Sequence, residues 1–235
     1  MNDAADLLVF DLDGTLVDSA EDLRVAMNLV LAEQNRRSLS RGEVIAMIGD
    51  GAPALIQRAF AHTGSAVPET ALPALRRSFL DHYAAADDAH SRPYPGVEET
   101  LERLATAGFR FAVCTNKPEG PANRVLAKMG LRTWFEVVVG GDSVGVRKPD
   151  PAHVRAVLAQ VDGGRARTAV MIGDSAHDIN AAQGAGLSAV AVSYGYGAPG
   201  FADGLADLVI DRFGALPQAL TRLAQRLDSS KATSL

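Results

Sequence analysis

Short β-branched runs recur along this chain, and a helix-like segment follows nearly every one of them. The runs "LLVFD", "FRFAVCTN", "FEVVVGGD", "TAVMIGD", "SAVAVS" and "DLVID" are strand-sized and rich in Val, Ile and Phe. Between them lie segments such as "VEETLERLATAG" and "PAHVRAVLAQVD", with apolar residues at helical spacing. Strands separated by helices form βαβ units, and hence a mostly parallel sheet covered on both faces. The alternation therefore predicts an α/β fold with a Rossmann-like core. Local signals agree: Gly108 closes one helical segment, and Asp150 before Pro151 caps the start of another.

The rhythm breaks between residues 18 and 90. That stretch holds no convincing strand, while "AEDLRVAMNLVLAEQN", "APALIQRAFAHTG" and "ALPALRRSFLDHYAAA" all read as amphipathic helices. A helical block between the first and second strands of a sheet is an insertion. The expected division is a core of residues 1–17 plus 91–235, with an all-helical cap over residues 18–90. A chain of 235 residues can bury a core large enough for both.

Charge and composition narrow the function. There are 23 Lys and Arg against 28 Asp and Glu, a net charge of −5, with no basic stripe for nucleic acid. No run is long and apolar enough to cross a membrane, and Asp3 and Asp6 precede the first apolar run where a cleaved leader would be basic. Cys114 is the single cysteine and has no internal disulfide partner. A cytoplasmic protein, monomeric or homodimeric, is expected.

The chemistry collects where strands end. "LLVF" runs into Asp11 and Asp13, the second strand into Thr115 and Asn116, and "AVMIG" into Asp174, with Asp178 just beyond. In open α/β sheets, ligands bind outside the carboxyl ends of the strands at the point where strand order reverses. These clusters should therefore meet in one crevice, joined by Lys148 from the loop after "VVVGGD". Crowded carboxylates need a counter-ion, and oxygen donors without His or Cys suit a hard cation such as Mg²⁺. A lysine and a hydroxyl beside that cation suit a phosphoryl group, whose transfer depends on positioning and charge neutralisation. One Asp could attack phosphorus and the other could protonate the leaving alcohol. "GT", Gly14 and Thr15, lets the backbone turn close to a phosphate.

"DLDGTLVDS", "CTN", "KPDP" and "GDSAHD", in that order, resemble the motif set of the haloacid dehalogenase-like phosphatases. "YPGVEETLERLATAGFRFAVCTNKP" and "VSYGYG" are similar to the phosphoglycolate phosphatase branch in particular. The resemblance implies that Asp11 is nucleophile and metal ligand. It implies that Asp13 is general acid and base and lends its carbonyl to the metal. Thr115 would hold phosphoryl oxygens with Asn116 beside it, and Lys148 would neutralise nucleophile and phosphate together. Asp174 would ligate Mg²⁺ directly, and Asp178 directly or through water. The glycines of "GDGAP", Gly49 and Gly51, would form a specificity loop over the crevice. The implied reaction is hydrolysis of a small phosphorylated metabolite, 2-phosphoglycolate giving glycolate and phosphate. A phosphatase for a sugar phosphate or pyrophosphate, a phosphosugar mutase and a non-catalytic phosphate-binding protein are the alternatives.

Blander readings exist for the same residues. Asp11 to Thr15 does not follow the EF-hand pattern, which places its glycine later in the loop. "GYGAPG", residues 195–200, matches a dinucleotide fingerprint letter by letter but follows the wrong strand and contains Pro199, so it reads as a crevice loop. The histidines show no metal spacing, and Cys114 reads as a small buried hydrophobe. Asp18 has no chemical role at this stage.

Overall fold

The computed structural model describes residues 6–161, 169–197 and 205–233. Its strands are β1 (Leu7–Phe10), β2 (Val17–Asp18), β3 (Arg92–Pro93), β4 (Arg110–Cys114), β5 (Val137–Val139), β6 (Ala169–Gly173), β7 (Ser188–Val192) and β8 (Leu208–Ile210). Its helices are α1 (Ala20–Glu33), α2 (Arg41–Ile45), α3 (Ala52–Thr63), α4 (Leu72–Ala85), α5 (Val97–Thr106), α6 (Glu119–Lys128), α7 (Pro151–Gln160), α8 (Ala176–Ala185) and α9 (Leu216–Thr233).

Six strands make one sheet in the order β5-β4-β1-β6-β7-β8, and each neighbouring pair is parallel. β1 lies between β4 and β6, with Phe10 in register with Val113 on one side and Ile172 on the other. Its position explains its composition. Both faces are covered, so all of Leu7, Leu8, Val9 and Phe10 are buried. Leu8 and Phe10 point into one apolar cluster together with Val125 of α6, Leu101 of α5 and Leu220 of α9. Leu7 and Val9 point into the other, with Val154 of α7 and Ile179 of α8. Phe10 anchors the first cluster with Phe111, Phe135 and Phe213 at ring-centroid distances of 6.0, 6.1 and 5.8 Å.

The chain leaves β1 towards β4 and β5, and after β5 it crosses back to β6, on the opposite side of β1. The switch point is thus at the carboxyl end of β1, where Asp11 and Asp13 lie. The α/β architecture and the mostly parallel sheet follow the alternation in the sequence.

Helices α1 to α4 build a third cluster of their own, from Leu23 to Tyr83, around Met27, Ile56 and Phe79. Their connections to the sheet run side by side: β2 pairs antiparallel with β3, Val17 opposite Pro93 and Asp18 opposite Arg92. The sequence reading missed this ribbon, because two-residue strands leave no periodicity to read. It missed the short α2 for the same reason, although Ser40 and Glu43 form a capping box there.

Candidate active site

Each sheet strand near the switch point delivers polar groups from its last residue onward. Asp11 continues β1, with its amide bonded to the Ile172 carbonyl at 2.9 Å. The chain then folds into a tight loop in which Leu16 and Val17 bond back to Leu12. Gly14 sits in that loop at φ +88°, and a Cβ there would fall 2.2 Å from Asp174 Oδ2. Only glycine lets the loop lie against that carboxylate.

Lys148 is the central cation. Its Nζ is 2.7 Å from Asp11 Oδ1, 2.6 Å from Asp178 Oδ1 and 2.6 Å from the Cys114 carbonyl. The ammonium donates to Asp178 and to the Cys114 carbonyl, and meets Asp11 as an ion pair. Burial disfavours its charge, but Asp11 and Asp178 outweigh burial and hold its pKa above the ordinary lysine value. The loop that carries Lys148 is fixed in turn. Its amide donates to Asn116 Oδ1 at 3.0 Å and to His153 Nδ1 at 3.1 Å.

Asp11, Asp174 and Asp178 offer oxygens that all lie within 4.8 Å of one another. Burial first, then Asp178 and Asp174, push Asp11 up to about 8 against the pull of Lys148. Asp174 rises to about 7, through burial and Asp178, although the Tyr196 and Gly197 amides favour its charge. Three crowded carboxylates, two buried and one partly exposed, with only oxygen to offer fit a hard divalent cation, which would relieve their repulsion. Asp178 contributes least freely. Its second oxygen accepts from the Ser175 amide and hydroxyl at 3.0 and 2.7 Å, so both of its oxygens are engaged. Asp174 Oδ2 takes the Tyr196 and Gly197 amides at 2.7 and 3.2 Å, which leaves Oδ1 for a cation.

A cavity of about 80 Å³ lies over this floor. Asp11, Asp13, Thr115, Asn116 and Asp174 line it from the sheet side, and Gly49 and Gly51 from the helical side. The rest of the helical wall is apolar, from Leu23, Ile48, Leu55, Phe79, Leu80 and Tyr83. Thr115 is buried, and its hydroxyl accepts the Lys117 amide at 3.2 Å. The Asn116 side chain is engaged elsewhere. Its amide donates to the Gly49 carbonyl at 2.8 Å and to the Lys148 carbonyl at 3.0 Å, tying the helical block to the sheet. Gly14 and Thr15 do not line the cavity; Gly14 packs on Asp174, and the Thr15 side chain is fully buried. Lys148 and Asp178 sit beneath the cavity wall.

The sequence reading passed over three residues that the structure places here. Lys117 is buried and bonds both oxygens of Asp13 at 3.1 Å. Burial opposes its charge, but Asp13 and then Tyr83 keep its pKa above the ordinary lysine value. Ser19 also donates to Asp13, at 2.5 Å. Tyr196 gives Asp18 a role: its hydroxyl donates to Asp18 at 2.8 Å and accepts the Ser19 and Ala20 amides at 2.7 and 2.9 Å. Asp18 also pairs with Arg41 of α2 at 2.6 Å. Lys117 stood in the quoted "CTNKP", and its clue was that position directly after a strand end. Of "GYGAPG", residues 198–200 lie outside the described residues.

A model of the family described as haloacid dehalogenase-like hydrolase matches residues 8–192. A phosphoglycolate phosphatase of Caulobacter vibrioides is 43% identical over 216 residues, covering 92% of this chain and 91% of that protein. Among solved structures, a predicted phosphoglycolate phosphatase from Haemophilus somnus superposes with a TM-score of 0.85 at 33% identity, covering 93% of this chain and 99% of that one. CbbY from Rhodobacter sphaeroides, in complex with xylulose-(1,5)bisphosphate, superposes with a TM-score of 0.74 at 26% identity, covering 89% and 95%. Among the described residues, no helix is long and apolar enough to cross a membrane. The chain belongs to the haloacid dehalogenase-like hydrolase family and is a phosphoric monoester hydrolase.

Proposed function

We propose that this protein hydrolyses 2-phosphoglycolate to glycolate and phosphate, with Mg²⁺ as cofactor and a phosphorylated Asp11 as intermediate. The observation that carries this reading is Asp11 itself: a strand-end carboxylate held 2.7 Å from the buried Lys148 ammonium, facing a small cavity. The substrate name rests on the phosphoglycolate phosphatase relatives and on a cavity of about 80 Å³, which suits a compact ester.

In this reading an Asp11 oxygen attacks phosphorus, and the bond from phosphorus to the alcohol oxygen breaks. Asp13 gives that oxygen its proton, so glycolate leaves as an alcohol. Asp13 then takes a proton from water while the water oxygen attacks phosphorus, which frees phosphate and restores Asp11. Thr115 orients phosphoryl oxygens, and Lys148 offsets the charge on the nucleophile. Mg²⁺ bound by Asp11, Asp174 and the Asp13 carbonyl, with Asp178 behind, would add further neutralisation of phosphoryl charge. Residues 18–90 act as the cap, excluding water while the intermediate forms. Gly49 and Gly51 lie where the cap loop meets the substrate.

A sugar bisphosphate is the second reading, favoured by the likeness to the CbbY complex. A panel of phosphate esters assayed with Mg²⁺, with EDTA and with Asp11→Asn separates the possibilities. The expected result is turnover with Mg²⁺ that EDTA and Asp11→Asn both abolish, with 2-phosphoglycolate the best substrate. Activity surviving in Asp11→Asn would refute the nucleophile. A sugar phosphate or bisphosphate turned over faster than 2-phosphoglycolate would replace the substrate and leave the chemistry standing.

A further inference from the structure

Lys117 is a lysine that pays for its burial in only two places. Its side chain is 5% exposed, its Nζ lies 3.1 Å from each oxygen of Asp13, and the same Nζ stands 4.5 Å from the centre of the Tyr83 ring. A buried ammonium is tolerated only where partners replace its water. Among the described residues, Lys117 is the one cation paired with Asp13. Tyr83 belongs to α4 of the helical block, whereas Lys117 and Asp13 belong to loops at the carboxyl ends of β4 and β1. The ammonium is therefore clamped between a core carboxylate and a cap aromatic ring.

We propose that Lys117 is a positioning residue for Asp13, and that Tyr83 makes this positioning depend on the cap being seated. The proposal rests on the reading of Asp13 as the acid that protonates the leaving oxygen. A short Asp side chain has two free torsions, and proton delivery demands one direction. Nζ and Ser19 Oγ together on Oδ1 fix the plane of the group, and Oδ2, which meets only Nζ, is the oxygen that carries the proton. Tyr83 supplies an apolar, electron-rich face that keeps the ammonium from swinging towards solvent. When the block lifts away, that face leaves with it, and Asp13 loses its orientation while the cavity is open to water.

The test compares two esters that differ in their need for a proton. An alkyl ester such as 2-phosphoglycolate releases a poor leaving group, whereas p-nitrophenyl phosphate releases a stable phenolate unaided. Lys117→Met should lower kcat for the alkyl ester by roughly 100-fold, with a loss roughly ten times smaller for the aryl ester. Lys117→Arg should recover part of the alkyl activity. In an Asp13→Asn background, Lys117→Met should cost little more, because the partner it acts through is already gone. Tyr83→Leu, which leaves Lys117 in place, should show the same alkyl-selective loss in weaker form, and Tyr83→Phe, which keeps the ring, should not. The Tyr83 pair carries the test if Lys117→Met does not fold.

Equal losses on both esters, or additive losses with Asp13→Asn, would overturn the assignment. Failure of the wild type to hydrolyse either ester would overturn the phosphatase reading, and this assignment with it.

Discussion

At the scale of single residues, the site depends on side chains that hold other side chains. Lys148 is the clearest case, and His153 holds the loop that presents it. Burial first, and the nearby Lys148 charge second, depress the His153 pKa from 6.5 to about 4. The unfolded chain takes up this proton near 6.5 and the folded one only near 4. The stability that neutral His153 contributes is therefore present above pH 6.5 and lost as pH falls to 4. Its ceiling is on the order of 3 kcal/mol. Urea unfolding midpoints should fall across that interval in the wild type and fall less in His153→Gln. Parallel profiles for the two proteins would refute the linkage.

The same scale shows what a sequence can and cannot reveal about a site. Asp11, Asp13 and Asp174 stood out because a buried strand has no structural use for a terminal carboxylate. Lys117 did not stand out, because a lysine after a strand is ordinarily solvated. Its burial comes from Tyr83, on a helix far away in the chain, and no local pattern reports that. Asn116 was legible as polar at a strand end, but its partners, the Gly49 and Lys148 carbonyls, come from two distant loops.

At the scale of elements, the carboxyl end of β1 shows how tightly the loops are packed against the acids. Gly14→Ala combines an unfavourable φ of +88° with a Cβ placed 2.2 Å from Asp174 Oδ2. Either Asp174 or the loop carrying Asp13 must move. Misplacement of about 1 Å at such a site costs on the order of 100-fold in rate. The expected outcome is that loss in kcat/KM, with weaker Mg²⁺ binding by calorimetry and a far-ultraviolet circular dichroism spectrum like the wild type's. Wild-type Mg²⁺ affinity in the variant would show that the loop, and not Asp174, gives way. The strands were legible at this scale because each is a continuous apolar run between breakers. The β2–β3 ribbon was not, because its two short halves are separated by the whole helical block.

At the scale of the whole molecule, specific contacts join the helical block to the sheet. Asn116 reaches the Gly49 carbonyl, and Asp50 pairs with His177 of α8 at 3.0 Å. Tyr196 works from the sheet side, where its hydroxyl closes the start of α1, the role an N-cap side chain would otherwise fill. Ser19 occupies the N-cap position but gives its hydroxyl to Asp13 instead. Tyr196→Phe would leave the Ser19 amide without its acceptor and the Ala20 amide with only Asp18 Oδ1 at 3.3 Å. It should destabilise the protein by about 1–3 kcal/mol, read from urea unfolding. The Tyr196 backbone contact to Asp174 would survive, so Mg²⁺ affinity should change little. An unchanged unfolding midpoint would show that water replaces the hydroxyl without loss.

The ribbon of β2 and β3 has a further meaning. Because the way into the helical block and the way out lie hydrogen-bonded together, the block hangs from the rest like a door on one pin. It also has its own apolar cluster, which shares no residue with the two that sandwich the sheet. Such a unit can be exchanged for another of different shape by joining chain ends that are already neighbours. The reacting acids would keep their places, and only the company they keep above the cavity would change.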